Sequence, residues 1–258
     1  MQFLIQTDAN GQFKDVNTLT VFNIVKDLTK IQPYSSYTQL PYPTYAMNNF
    51  LSETESWPKD FKSYIPIGDI NFTNNWFETF YNKKLKPYTV PNVINNPNIM
   101  GLERNYEIIN NCSEYVTEEC FLQDAENIKG FTFKGILTKE EAEKINLLKT
   151  KIIASNYLDI KSEWRFFIHK GTIKYFGYKK GDILRLPLMS TVKESIKSYE
   201  SWVPDENKLD SYIMDFAYTE QGATVLIKIA PVLTANLYGF KDPILLDMYK
   251  NNIDFLIK

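Results

Sequence analysis

Histidine and cysteine are almost missing from this chain. Its 258 residues include one histidine, His169, and two cysteines, Cys112 and Cys120. A single imidazole cannot supply a zinc centre without carboxylates, and no CxxC or Cys/His cluster is present. Hydrolases built on Ser–His–Asp or Cys–His pairs are disfavoured for the same reason. His169 is expected to be an ordinary strand residue, and the two cysteines ordinary reduced thiols. A surplus of either charge is also lacking. Lys+Arg 29 against Asp+Glu 31 give a net charge of −2, with no basic field to gather a nucleic-acid backbone. No apolar run approaches the roughly 20 residues that span a bilayer. The opening apolar core, Phe3-Leu4-Ile5, is too short for a signal peptide and reads as a first strand. These absences predict a cytoplasmic protein whose partners are neither nucleic acid nor membrane.

What is present is an ordinary globular balance, 44% hydrophobic and 23% charged, with length for one large domain or two small ones. Leu19, Phe22, Val25 and Leu28 recur at helical spacing, with Asn17 or Thr18 as N-cap. A Pro-, Tyr- and Ser-rich stretch over 31–49 reads as an irregular connection. Prolines 58, 66, 87, 91 and 97 break the next fifty residues into short pieces, in which Trp57 and Trp76 are candidate core anchors. Residues 103–110 read as a short helix. Strands are expected at 119–123, 130–133 and 152–154. Thr138-Lys139-Glu140-Glu141 and Thr191-Val192-Lys193-Glu194 have capping-box form, and the first opens a helix burying Ala142, Ile145, Leu148 and, at the edge of that face, Leu147. Hairpins are expected around Lys170-Gly171 and around Thr219-Glu220-Gln221-Gly222. Asp242-Pro243 caps a last helix that presents Leu245, Met248, Tyr249, Ile253 and Leu256 to a core. The fold class is α+β.

The stretch 152–240 holds the chemistry. Ser162-Glu163-Trp164-Arg165-Phe166-Phe167-Ile168 precedes a glycine turn. Then follow Gly181-Asp182-Ile183-Leu184-Arg185, Tyr212-Ile213-Met214-Asp215-Phe216, Val225-Leu226-Ile227-Lys228-Ile229-Ala230-Pro231 and Asn236-Leu237-Tyr238-Gly239. Asp215 stands among Ile213, Met214 and Phe216, where an unpaired charge is costly, so it needs a cation or a donor. The order of these fragments over residues 115 to 240 resembles the ATP-grasp fold. The likeness is greatest to the small ATP-grasp proteins of bacteria and phages, and more distant to the ribosomal-protein glutamate ligases. The resemblance implies an ATP-grasp region over 113–258 with a C-terminal helix, preceded over 1–112 by an α/β, pre-ATP-grasp-like substrate domain. It further implies that Arg165 faces the triphosphate and that Arg185 meets phosphate or an acyl phosphate. In the same scheme Asp215 binds magnesium, and Lys129 with Gly130 belongs to the loop closing over the phosphates. Residues 154–158 match the hinge at the adenine edge, which assigns Ser155, Asn156, Tyr157 and Leu158 to nucleotide binding.

The pattern then breaks. The family's last strand reads Glu-x-Asn-Pro, and here the same place reads Lys228-Ile229-Ala230-Pro231. Positions 228 and 230 share one face of a strand, so both changes land in one site. Magnesium wants hard oxygen ligands, which lysine and alanine do not offer. Gln123 stands where many relatives have a lysine that feeds the phosphate loop. Three readings remain open: Lys228 takes the place of the metal beside Asp215 and touches phosphate, the chain binds without catalysing, or it is an inactivated variant of an active ligase. The expected activity is an ATP-dependent carboxylate–amine ligase working through an acyl phosphate. The cofactors are ATP and, if the site holds it, magnesium. Its partners are a small molecule or peptide bearing a carboxylate and an amine acceptor, with a homodimer among the options. The alternative is a nucleotide- or peptide-binding protein on the same scaffold.

Overall fold

The computed structural model describes residues 3–7, 12–28, 44–48, 59–83, 85, 106–126 and 130–257; Trp57 and Lys129 lie outside them, as does much of the stretch from 29 to 105. The chain divides into two compact units, one made of Met1–Leu85, Leu209–Ser211 and Pro231–Lys258, the other of Lys86–Lys208 and Tyr212–Ala230. No helix among the described residues is long and apolar enough to cross a membrane.

The first unit holds a parallel three-stranded sheet. Strand β1 (Phe3–Thr7) runs between β2 (Thr44–Asn48) and β3 (Ile65–Ile67). Every residue of β1 is buried, as a central parallel strand requires. Helix α1 (Val16–Leu28) follows β1, but its cap is neither Asn17 nor Thr18. Asp15 Oδ1 accepts from the Thr18 amide at 2.8 Å, and Thr18 Oγ1 accepts from the Asp15 amide at 3.1 Å, a reciprocal box that starts earlier than expected. Strand β2 falls within the stretch read as irregular. Helix α2 (Ile70–Tyr81) falls within the stretch read as broken by proline. Its signal was present, since Ile70, Thr73, Trp76 and Phe77 are buried at helical spacing and Pro66 and Pro87 lie outside it. Asp69 caps it by accepting from the Phe72 amide at 2.9 Å. Trp76 is fully buried, as expected. The terminal helix (Ile244–Leu256) belongs to this unit and buries Leu245, Met248, Tyr249 and Ile253; Asp242 Oδ1 accepts from the Ile244 amide at 2.9 Å, just past Pro243.

The second unit contains two four-stranded sheets. In the first, β4 (Tyr106–Ile109), β7 (Ile152–Asn156), β5 (Glu119–Asp124) and β6 (Thr132–Ile136) lie in that order, all antiparallel. Residues 106–109, expected in a helix, are this edge strand because Tyr106 and Ile108 pair with Ser155 and Ile153 of β7. Cross-strand pairing has overridden a weak local preference. The strand expected at 130–133 begins two residues later. Helix α3 (Lys139–Asn146) covers one face, where Ala142 and Ile145 meet Cys120, Leu122, Ile152 and Ala154. Its capping box forms as expected: Thr138 Oγ1 accepts from the Glu141 amide, and Glu141 accepts from the Thr138 amide. Leu147 and Leu148, assigned to the buried face, are instead exposed, because the helix ends at Asn146 and the chain turns at Lys149 with φ 52°.

The second sheet carries the order β11 (Thr224–Pro231), β10 (Ser211–Thr219), β8 (Ile160–His169), β9 (Thr172–Gly181). Both expected hairpins are present. Helix α4 (Met189–Trp202) covers one face, its Tyr199 ring 4.3 Å from that of Tyr212. It starts before the expected box at Thr191, which sits inside the helix with its carbonyl accepting from Ser195 Oγ. The orphan amide of Leu188 is met from another strand, by Thr224 Oγ1 at 2.8 Å. The segment 157–159 joins β7 of one sheet to β8 of the other.

Candidate anion-binding site on the second sheet

Side chains alternate along a strand, so β8 sends Trp164 and Phe166 to one face and Glu163 and Arg165 to the other. The first face is aromatic. Phe166 meets Phe176 and Phe216 at centroid distances of 5.4 and 5.5 Å, and Trp164 meets Tyr178 at 5.5 Å. The second face is charged, and most of it is buried. Asp215 of β10 is 1% exposed and Arg165 7%. The guanidinium grips the carboxylate with two bonds, Nε to Oδ1 at 2.8 Å and Nη2 to Oδ2 at 2.9 Å. Lys179 of β9 donates to the same Oδ2 at 2.7 Å and pairs with Glu163 Oε2 at 3.0 Å, while Lys180 reaches Glu163 Oε1 at 2.7 Å.

Two consecutive lysines meet one glutamate because the ladder is irregular there. Glu163 pairs with Lys180, whereas Trp164 pairs with Tyr178, so Lys179 is an extra residue in a β-bulge. A bulge re-aims side chains that alternation would send to opposite faces. Gly181 closes the irregularity at φ +95°; a Cβ there would lie 2.0 Å from the Lys161 carbonyl oxygen.

Burial alone would push the Asp215 carboxyl up, but the hydrogen bonds and charge of Arg165, then Lys179, outweigh it and hold it below the ordinary range. Burial alone would lower the Lys179 ammonium, and Asp215 with Glu163 instead raises it, against repulsion from Arg165. Lys228 of β11 is close enough to feel Asp215, Arg165 and Lys179, yet makes no salt bridge among the described residues. Desolvation lowers its ammonium first, Asp215 opposes that, and the two neighbouring cations add to it. Lys228 itself is exposed on β11. Among the described residues, Arg165, Lys179, Lys180 and Lys228 thus gather around Asp215 and Glu163 on one patch, four cations beside two carboxylates. Such a patch suits a polyanion whose oxygens can share the forked guanidinium and the ammonium groups.

The depressed Asp215 fixes the sign of an acid effect. Its contribution to stability is complete above the ordinary aspartate range and is lost as pH falls through its lower folded value. Urea midpoints are expected to drop as pH falls below the ordinary aspartate range of about 4, and a midpoint that stays flat there would refute the assignment.

The expected site residues scatter more widely than this cluster. Arg165, Asp215 and Lys228 come together. Arg185 does not: its carbonyl accepts from Trp164 Nε1 at 2.9 Å, its guanidinium stands 5.8 Å from the Tyr218 ring centre, and both partners belong to the aromatic face. On the other sheet, Gln123 lies opposite Ile153 and Thr132, on the face turned away from α3. Ser155 is buried on that same face, opposite Tyr106 and Phe121, and Asn156 ends β7 exposed. Tyr157 and Leu158 occupy the link between the sheets, the Tyr157 amide donating to the Glu119 carbonyl at 3.4 Å. Tyr106 ties this face to the second sheet, its hydroxyl donating to the Ile227 carbonyl at 3.0 Å, one residue from Lys228. Glu163, Lys179 and Lys180 were not singled out from the sequence. The available signal was hairpin arithmetic, since a turn at Lys170-Gly171 sets residue 179 within one position of Glu163's partner.

Magnesium wants about six hard oxygen ligands. Here Asp215 and Glu163 have their oxygens engaged by Arg165, Lys179 and Lys180, and Ala230 offers no side-chain donor. Among the described residues, no group of three His, Cys, Asp or Glu side chains could hold a metal. The residues present do not fit a magnesium centre.

Paired antiparallel sheets, one with a cation-rich face, joined by a short link and preceded by an α/β unit, define an ATP-grasp protein. Residues 105–248 match an ATP-grasp domain family, the second of its clade, and the chain belongs to that family. The crystal structure of D-cycloserine synthetase aligns over 99% of this chain and 100% of its own, with a TM-score of 0.57 at 7% identity. N5-carboxyaminoimidazole synthetase from Staphylococcus aureus aligns over 100% of this chain and 78% of its own, with a TM-score of 0.53 at 9% identity. At these identities the likeness is one of fold. The chain spans about half the length of two ADP complexes of such synthetases, 46% and 51%. No curated protein matches the chain.

Proposed function

We propose that this protein is an ATP-dependent carboxylate–amine ligase in which side-chain cations, rather than a resident metal, neutralise the triphosphate. The observation that carries the reading is the gathering, among the described residues, of Arg165, Lys179, Lys180 and Lys228 on one sheet face. Arg165 would hold two phosphate oxygens, and Lys179 and Lys228 would balance charge on the transferring group. A carboxylate oxygen of the substrate forms a bond to the γ-phosphorus as the bond to the bridging oxygen breaks, giving an acyl phosphate and ADP. The amine then attacks the acyl carbon, phosphate leaves, and the amine's proton passes to solvent. The link 157–159 and the face bearing Gln123 and Ser155 would receive the adenosine, and the α/β unit the acceptor.

Calorimetric titration with ATP, with and without magnesium, tests this directly. The expected result is a dissociation constant on the order of micromolar, changed little by the metal, with phosphate released only when a carboxylate and an amine are both supplied. Absence of binding at millimolar ATP would overturn it. Tight binding of ATP and ADP with no phosphate release across acceptors would favour a non-catalytic binding protein. That second reading draws support from the close hold of Arg165 and Lys179 on Asp215.

A further inference from the structure

Tyr106 reaches from one sheet of the second unit to the other. Its pairing with β7 sets it directly opposite Ser155, so its side chain lies on the face turned away from α3, with Ser155 and Gln123. Ile109, of opposite parity on the same strand, packs into the core under α3. From the outer face the Tyr106 hydroxyl crosses to β11 and donates to the Ile227 carbonyl at 3.0 Å, a bond between residues 121 positions apart. Strand β4 is an edge of its sheet and β11 an edge of the other, so the bond joins edge to edge.

What that bond holds is the strand beneath Lys228. Arg165, Lys179 and Lys180 are each fastened to Asp215 or Glu163, so carboxylates fix where their charges stand. Lys228 pairs with no carboxylate among the described residues, and its place beside the cluster is set by the backbone that carries it. That backbone is an edge strand with β10 on one side only, and it has fewer ladder bonds than a central strand. The Tyr106 hydroxyl adds a hold one residue from Lys228, from outside the ladder. We propose, on the reading of this face as a triphosphate site, that Tyr106 is a positioning residue for phosphate binding. By holding the Ile227 carbonyl it fixes β11, and so sets where the Lys228 ammonium meets an anion that Arg165 and Lys179 share.

The test is calorimetric titration of inorganic triphosphate into the full chain in four forms: native, Tyr106→Phe, Lys228→Ala and the double variant. Phenylalanine keeps the ring and its packing, so the loss is confined to the bond with Ile227, and the melting curve is expected to change little. Tyr106→Phe should weaken binding about fivefold, the scale of one hydrogen bond. Lys228→Ala should weaken it about tenfold. The double variant should bind no more weakly than Lys228→Ala alone, because a hold that acts through Lys228 then has nothing to position. Losses that multiply, to roughly fiftyfold in the double variant, would make Tyr106 a general support of the fold and overturn the proposal. So would a Tyr106→Phe protein that binds triphosphate as the native chain does. A native chain that binds neither triphosphate nor ATP would remove the triphosphate reading and the proposal together. Binding by the native chain without coupling between the two positions would remove the proposal alone.

Discussion

Asp215→Ala is expected to destabilise the protein by about 3–5 kcal/mol, the usual cost of leaving one partner of a buried ion pair behind. The melting temperature should fall by on the order of 10 °C. The reason lies in what remains. Arg165 would lose both bonds from its Nε and Nη2 in a site 7% exposed. Among the described residues, Lys179 would retain Glu163, which Lys180 already shares. Without the carboxylate between them, the two cations repel each other in a poorly hydrated place. A thermal melt and a urea titration of the two proteins decide the matter. A loss under about 1 kcal/mol would mean the guanidinium finds other acceptors and that the pairing is incidental. A bound polyanion should restore part of the loss, because phosphate oxygens can take the positions of the missing carboxylate. Inorganic triphosphate should therefore raise the melting temperature of Asp215→Ala more than that of the native chain.

Lys228→Glu should weaken ATP binding by about 2 kcal/mol, roughly 30-fold, since a positive charge at the cluster becomes a negative one. Added magnesium should not rescue it. A glutamate at 228 supplies a ligand, but Asp215 remains held by Arg165 and Lys179, so no second free carboxylate stands beside it. Recovery of affinity with magnesium would instead show that the carboxylate can be drawn off its cations. The native chain offers a companion test through pH. Lys228 carries its proton below its folded pKa, and that value is lowered from the ordinary lysine range. ATP affinity should therefore hold at neutral pH and decline as pH rises through the lowered value. In Lys228→Arg the decline should move to higher pH. Equal alkaline limits for the two proteins would exclude Lys228 as the titrating group.

Much of the second unit was legible because its signals are local. The hairpin turns, the Thr138 box and the β10–β11 pair each rest on a few adjacent residues, and Asp215 among apolar neighbours announced a need for cations. The errors have identifiable causes. Residues 106–109 read as a helix because their strand is made by β7, some fifty residues away. Asp15 was passed over as a cap because Asn17 and Thr18 lay nearer the apolar period. Lys179 and Lys180 escaped notice because strand alternation assigns neighbours to opposite faces, and a single inserted residue cancels that rule. Arg185 was expected at the phosphates only from its place in the family's order of fragments. In the structure, Trp164 and Ser162 fasten its carbonyl to the other side of the sheet.

The grip of Arg165 and Lys179 on Asp215 also bears on how long any visitor stays. A phosphate entering this face meets donors that are already occupied and must share them with a tethered rival that cannot diffuse away. When the visitor loosens, the carboxylate is within bonding distance and reclaims the vacated hydrogens at once, so rebinding is obstructed. A pocket of bare cations would hold its anions longer and surrender them slowly. This one carries its own displacing agent, and its dwell times should be short for its charge.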